Sequence, residues 1–354
     1  MSKTRVAVIF GGKSNEHEVS LVSAANIIRN IPKDKYDVAC VGITKKGRWL
    51  LFGGKPEAIE DGSWEKDPDN VECILSPDPI HKGFLAILDD GTVQRVKIDV
   101  VFPVLHGKNG EDGTIQGLFT LAEMPFVGCD LISSANCMDK DVTHLILEAN
   151  GIKTAKWLTL RESQIDTLPD FAKKADSELK YPLFVKPANC GSSVGISKVS
   201  NIDELKSAIK LAFTHDKKVL VEQGIVGIEC ECAVMGNDKP FSSDVGEISA
   251  ANDFYDYDAK YKNAASETYI PAKNIPENKR KEISEIALAA YKALGCEGLA
   301  RVDFFYCDNG EIFLNEINTL PGHTSISMYP KLMENYGLTP AEQADRLITL
   351  ALNK

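Results

Sequence analysis

The chain opens with short apolar runs alternating with amphipathic stretches. Val6–Phe10 is five apolar residues closed by Gly11-Gly12, which reads as a buried strand. Ser20–Asn30 reads as a helix, and Tyr36–Ile43 and Val100–Leu105 as two further strands. A polar loop, His106–Gly113, follows, and Thr114–Glu123 reads as a helix. Strands and helices in alternation predict a parallel sheet wrapped by helices. Ligands bind at loops on the carboxyl ends of such strands, and both glycine-bearing loops, after Phe10 and after Leu105, lie there. Leu50–Gln94 is rich in Gly, Asp and Pro with weak periodicity. It reads as an excursion with a small hairpin rather than a domain.

The pattern changes near residue 128 and again near 221, which predicts three units: 1–127, 128–220 and 221–354. In the second, Asp141–Asn150 is a helix ended by Gly151. Leu183–Lys186 and Val219–Glu222 read as strands around a helix at Ile202–Phe213. In the third, Glu229–Met235 is a strand, Asn252–Ala265 a polar aromatic loop and Lys279–Leu294 a helix. Strands at Ala300–Tyr306 and Glu311–Asn318 follow, and Ala341–Leu352 closes the chain as an amphipathic helix.

Length supports the division, since 354 residues exceed one ordinary core. With 44% hydrophobic and 26% charged residues the composition is that of a globular protein. A formal charge of −11 argues against a nucleic-acid partner. No apolar run reaches bilayer length, so no membrane partner is expected. The nine cysteines do not form a short loop framework, and reduced thiols in a cytoplasm fit best. Cys230 and Cys232 point to one face of a strand and read as packed thiols, because further metal ligands are missing nearby.

The last two strands carry the clearest chemistry. Asp308-Asn309-Gly310 between them signals a hairpin turn. Residues two apart in a strand share a face, so Arg301 pairs with Asp303 and Glu316 with Asn318. Hairpin pairing brings both pairs together. Two carboxylates and an amide oxygen suit Mg²⁺ held jointly with phosphate oxygens. Arg301 beside them suits a phosphate or a developing oxyanion. The bland alternative is a hairpin with one solvated polar face. Against it, these charges interrupt apolar strands, and buried charge needs compensation.

Other segments are individually weak. Lys186-Pro187-Ala188-Asn189-Cys190-Gly191-Ser192-Ser193-Val194-Gly195 is a small-residue loop entered by a lysine. It suits phosphate oxygens, and equally an ordinary hairpin turn. Lys140, opening a helix after Met138-Asp139, could reach a phosphate or simply be solvated. Glu222-Gln223-Gly224-Ile225 could hold adenine through backbone groups, with Glu229 placed for ribose hydroxyls. Gly11-Gly12-Lys13-Ser14-Asn15-Glu16 departs from the dinucleotide fingerprint, which disfavours a dehydrogenase; its acidic residue could hold a substrate ammonium. Gly322 could present its N–H to an oxyanion, and Ser325 or Ser327 could cap a helix whose N-terminus welcomes a carboxylate.

In this order the segments resemble the D-alanine–D-alanine ligase family of the ATP-grasp superfamily over nearly the whole chain. The strings that carry the resemblance are Gly11–Ser20, His106-Gly107 with Gly110–Gly113, Met138–Lys140, Gly191–Gly195, Phe254–Tyr261 and Asn315–Gly322. The resemblance implies an α/β and α+β fold: an N-terminal parallel α/β domain and two α+β domains that sandwich ATP. It implies ligation of two D-alanines through a D-alanyl phosphate, for peptidoglycan synthesis. The implied cofactors are ATP and two Mg²⁺ or Mn²⁺ ions, with a monovalent cation as a further candidate. A homodimer in the cytoplasm is implied as well.

Residue by residue, the resemblance makes Asp303, Glu316 and Asn318 metal ligands, and Lys140, Lys186 and Lys260 phosphate contacts. Ser193 falls in the phosphate loop, and Glu222, Ile225 and Glu229 in the adenosine site. Glu16 would accept the first ammonium, with Ser192 and Tyr261 completing a hydrogen-bonded triad. Arg301 and the Gly322 N–H would form the oxyanion hole. Ser327 and the Met328 backbone would clamp the second carboxylate, with His106 near the second substrate. Lys260-Tyr261, Val194 and Met328 favour D-alanine there; a D-Ala-D-Ser ligase is the alternative. His323 departs from the family's usual apolar residue and puts the polarity beside Gly322 in question.

Overall fold

The computed structural model describes residues 3–249 and 267–354. The expected loop Asn252–Ala265, with Tyr255, Lys260 and Tyr261, lies outside them.

Three sheets organise the chain. The first has seven strands: β1 (Thr4–Gly11), β2 (Tyr36–Ile43), β3 (Trp49–Phe52), β4 (Val71–Leu75), β5 (Gly83–Ile87), β6 (Val93–Lys97) and β7 (Val100–Val104), in the order 6-5-4-3-2-1-7. Only β2, β1 and β7 run parallel. From β2 outward every pairing is antiparallel. The segment read as an excursion therefore extends the sheet by four strands. Its residues are exposed on one side, so alternation is weak and glycine, proline and aspartate at its turns obscure it. Helix α1 (His17–Asn30) packs on β1, with α2 (Pro56–Glu60) beside it; α3 (Thr114–Leu121) lies beyond β7. Trp64 is buried against Phe10 and Phe52, and Gly42 leaves room for its ring.

The second sheet, antiparallel throughout, orders β10 (Ser197–Val199), β9 (Leu183–Pro187), β11 (Lys218–Gln223) and β8 (Trp157–Arg161). Helices α6 (Leu168–Glu178) and α7 (Ile202–Ala212) cover it through Ala172, Ala175, Leu205 and Ile209. Before it lie α4 (Leu131–Met138) and α5 (Lys140–Ala149). Asp139 caps α5 by accepting the Val142 N–H at 3.2 Å. The third sheet, also antiparallel, orders β14 (Glu267–Tyr269), β13 (Phe241–Ser249), β12 (Ile228–Met235), β15 (Leu299–Tyr306) and β16 (Ile312–Asn318). Helices α8 (Glu277–Ala293), α9 (Met328–Asn335) and α10 (Pro340–Leu352) complete the chain.

The two faces of the third sheet have different fates. Cys230, Cys232, Val302, Phe304 and Leu314 face α8 and pack on Ile283, Ala287 and Tyr291. On the opposite face, Ala233 and Met235 pack under Tyr329 and Leu332 of α9. The rest of that face carries charge. All nine cysteines are free thiols. No helix among the described residues is long and apolar enough to cross a membrane.

Candidate active site

The hairpin pairing sets the geometry. Asp303 lies opposite both Glu231 of β12 and Glu316 of β16, so three carboxylates form one row across three strands. The next row is Ala233, Arg301 and Asn318. Strict alternation along β16 would place Leu314 and Glu316 on one face, which would bury the glutamate under α8. One extra residue, Asn315, shifts the register after Phe304 and resolves the conflict. Core leucine and carboxylate then share a strand without sharing a face.

Arg301 is clamped in this row. Its guanidinium donates to both oxygens of Asp303 at 2.8 and 2.7 Å and lies 2.9 Å from Glu231. Asn318 donates to Asp303 at 3.1 Å. Glu231 is one residue that sequence reading missed; it faces Asp303 only because β12 runs beside β15. Glu231 and Asp303 are buried and Glu316 half-buried, and carboxylates crowded in one row are a donor set that attracts cations. Glu111 stands beside these groups: burial first, and the charges of Glu16 and Glu316 after it, push its carboxyl up to about 8. The residues thus fit divalent cations. Among the described residues no three His, Cys, Asp or Glu side chains form a closed ligand set. Two carboxylates and an amide oxygen leave coordination positions for phosphate oxygens, which suits Mg²⁺.

The row forms one wall of a cleft of about 440 Å³ between the second and third sheets. That volume suits a small organic ligand. Lys140, Lys186, Ser193, Glu222, Ile225 and Glu229 all line it. Lys186 is 2.5 Å from Glu222, whose other oxygen is 2.9 Å from His144 Nε2. Burial alone would raise the Glu222 carboxyl, but Lys186 and His144 overcome it and hold it down at about 2. His144 stacks on Trp157 at 4.7 Å between ring centroids. Sequence reading did not single out His144; a histidine inside a helix gives no signal until β11 places Glu222 beside it. Lys140 donates to the Cys190 carbonyl at 2.8 Å and so anchors the small-residue loop. In that loop Ser192 and Ser193 both adopt positive φ, +51° and +58°, a conformation that costs energy for residues other than glycine.

Glu16 sits at the start of α1 without capping it. Its carboxylate accepts from Ser192 Oγ at 2.5 Å, which ties the first sheet's loop to the small-residue loop. Tyr261, expected as the third member, lies outside the described residues, as does Lys260. Gly107 has φ +70°, and a Cβ there would collide with the Glu16 carboxylate. Only glycine lets the two approach.

The turn after β16 is held from the N-terminal side. His106 is buried, with Nδ1 2.9 Å from the Leu320 carbonyl and Nε2 3.2 Å from Ser23 Oγ. It therefore touches the turn rather than the cleft. His323 donates from Nδ1 to its own loop, at Pro321 O, 2.8 Å away, and its ring lies against Tyr329. Burial pushes both histidines down to about 4, so both are neutral near pH 7. The departure from an apolar residue at 323 brings no positive charge to Gly322. Ser327 stands at the N-cap of α9, but its Oγ accepts the Thr324 N–H at 3.0 Å rather than capping the helix. The Met328 side chain is buried in the core.

Family models match almost the whole chain: the D-ala D-ala ligase N-terminus over residues 5–129 and the C-terminus over 146–349. A D-alanine–D-alanine ligase of Thermoanaerobacter sp. (strain X514) is 48% identical over 353 residues, 99% of this chain and 97% of that one. Its counterpart in Caldicellulosiruptor bescii is 48% identical over 356 residues, covering 100% and 96%. Among solved structures, the VanG D-Ala:D-Ser ligase from Enterococcus faecalis superposes with a TM-score of 0.91 at 45% identity, covering 99% of this chain and 100% of that one. The D-alanine–D-alanine ligase from Coxiella burnetii gives 0.88 at 36% identity, covering 100% and 95%.

Two outcomes follow from this geometry. Gly107→Ala displaces the Glu16 carboxylate, so steady-state kinetics should show at least a tenfold rise in KM for the amino-acid substrate with KM for ATP little changed; an unaltered amino-acid KM would disprove the contact. The second concerns His323. Unfolded histidine titrates near 6.5 and the folded one near 4, so the unfolded state binds more protons between those values and stability falls as pH drops through that window. Chemical denaturation at pH 7 and pH 5 should show His323→Leu recovering about 2 kcal/mol of the loss seen in the parent. Identical pH slopes would mean that His323 is not held neutral.

Proposed function

The chain belongs to the D-alanine–D-alanine ligase family and is an ATP-dependent ligase of D-alanine on the ATP-grasp fold; from the geometry above we propose how its own residues make D-alanyl-D-alanine. The observation that carries the proposal is the row Glu231, Asp303 and Glu316 on one wall of the cleft, with Arg301 bound to Asp303 and Glu231.

A carboxylate at neutral pH is a poor acyl donor, and transfer of the γ-phosphoryl group of ATP makes it a good one. Adenosine occupies the cleft by Ile225, Glu222 and Glu229. Lys186, placed by Glu222, and Lys140, at the start of α5, lie toward the phosphates, where Ser193 adds a hydroxyl. Asp303, Glu316 and Asn318 would hold two Mg²⁺ or Mn²⁺ ions, which would neutralise charge on the phosphoryl group when bound. Glu16, fixed by Ser192, accepts the ammonium of the first D-alanine and aims its carboxylate at the phosphoryl group. The second amine, once deprotonated, attacks the acyl carbon, and the tetrahedral adduct collapses by breaking the C–O bond to release inorganic phosphate as the C–N bond is kept. Arg301 and the Gly322 N–H stabilise the tetrahedral oxyanion. Ser327 and the Met328 backbone hold the second carboxylate at the start of α9. We assign Lys260, outside the described residues, to the phosphates, and Tyr261, likewise outside them, to the hydrogen-bonded triad with Glu16 and Ser192. Units divided near 128 and 221, a homodimeric state and a cytoplasmic location complete this reading; the nine free thiols support the last.

Likeness to the VanG D-Ala:D-Ser ligase raises D-serine as a second acceptor. A serine hydroxyl is favoured by a site that offers it a buried hydrogen bond. Val194 offers none, and the Met328 side chain is buried in the core, which supports D-alanine. Equimolar D-alanine and D-serine with ATP should yield at least tenfold more D-Ala-D-Ala than D-Ala-D-Ser by mass spectrometry; predominant mixed dipeptide would reverse the assignment. Glu316→Gln should lower kcat by a factor of about 10² or more while the fold stays intact by circular dichroism. Full activity in that variant would remove Glu316 from the chemistry.

A further inference from the structure

The turn Leu320–His323 follows the charged strand β16 and carries the Gly322 N–H. It is a loop, yet its flanking peptide groups are bound one by one to groups of the first sheet's domain and of α1. The Leu320 N–H donates to Glu111 at 3.3 Å. The Leu320 carbonyl accepts from His106 at 2.9 Å. On the far side of Gly322, the His323 N–H donates to Ser23 Oγ at 3.1 Å, and the His323 carbonyl accepts from Asn26 Nδ2 at 2.7 Å. The Pro321 carbonyl is taken by the His323 ring. Among the described residues, the Gly322 N–H has no partner.

These bonds form one directed chain. A carbonyl only accepts, so the bond to Leu320 O fixes the His106 proton on Nδ1. His106 Nε2 is then an acceptor, and Ser23 donates its hydroxyl proton there. That leaves the Ser23 oxygen lone pairs facing the His323 N–H. Ser23 is fully buried, so its orientation is not exchanged with water. A turn clamped on both sides of one peptide has little freedom left in that peptide. Its N–H direction is set before any substrate arrives, which is what stabilisation of a developing oxyanion requires.

We propose that Ser23 and Asn26, on α1, are positioning residues that aim the Gly322 N–H at the oxyanion. The inference rests on the reading of Gly322 as an oxyanion donor. It assigns α1 two separate tasks: its first turn holds the substrate ammonium through Glu16, and its second and third turns orient the reacting end of the turn after β16. A mere packing role would predict lost stability only. A positioning role predicts loss confined to the tetrahedral state, because ground-state carboxylate and ATP do not use that N–H.

The test uses the full chain and a tetrahedral phosphinate analogue of the dipeptide, bound in the presence of ATP and Mg²⁺. Ser23→Ala removes both the acceptor and the donor; Asn26→Asp keeps size and removes the donor. Each should lower kcat by about tenfold or more and weaken the analogue by a similar factor, with the KM values for ATP and the first D-alanine within threefold of the parent. Thermal melts identify any variant that fails to fold, and Asn26→Asp, being isosteric and partly exposed, keeps the test available if Ser23→Ala does. Arg301→Lys separates the two readings. If it weakens the analogue while Ser23→Ala and Asn26→Asp do not, the positioning role is wrong and the oxyanion hole stands. If Arg301→Lys also leaves the analogue unaffected, the oxyanion hole itself is wrong, and this inference falls with it.

Discussion

The site depends on bringing carboxylates from three neighbouring strands into one row. Glu231, Asp303 and Glu316 lie in one row, Arg301 in the next row binds Asp303 and Glu231, and Glu111 and Glu16 stand close enough for Glu111 to be driven toward its protonated form. Such an arrangement costs stability in isolation. It makes sense as a receptor for cations and for the ammonium of an amino acid. Arg301, clamped by Asp303 and Glu231, stays in place to meet negative charge when a substrate brings it. The α8 side of the sheet supplies the apolar contacts that offset this cost.

A second constraint is that parts from different domains must meet at one point. Glu16 comes from the first sheet, Ser192 from the second and Arg301 from the third, and each is held by a group from another element. Glu16 is held by Ser192, and Lys186 by Glu222 and His144. The turn bearing Gly322 is held by Glu111, His106, Ser23 and Asn26. The buried histidines serve as neutral hydrogen-bonding pieces in this frame. That explains why a polar residue at 323 is tolerated beside the chemistry.

Much of this was legible in the sequence, and the reasons are local. β2 is Tyr36–Ile43 as read, and the hairpin from Arg301 to Asn318 shares a face as its period of two required. Asp139 caps α5 where a helix start was expected. Other elements gave poor local signals. β13 and β8 mix polar and apolar residues, α4 is short, and β3 to β6 face solvent on one side. Each is stabilised by neighbours distant in sequence, so its own pattern is weak.

The sequence by itself determined which residues are chemically able to act, because side-chain type and short-range spacing are written in it. It marked the candidate oxygen ligands of the hairpin, the lysines and the small-residue loop. Only the tertiary structure decided how they are oriented and by what. Glu231 and His144 entered the site because a neighbouring strand placed them there. The bulge at Asn315 reconciled a core leucine with a site carboxylate, and α1 clamped a turn three hundred residues away. Orientation in a buried site comes from hydrogen bonds between segments far apart in the chain, and no local pattern records them.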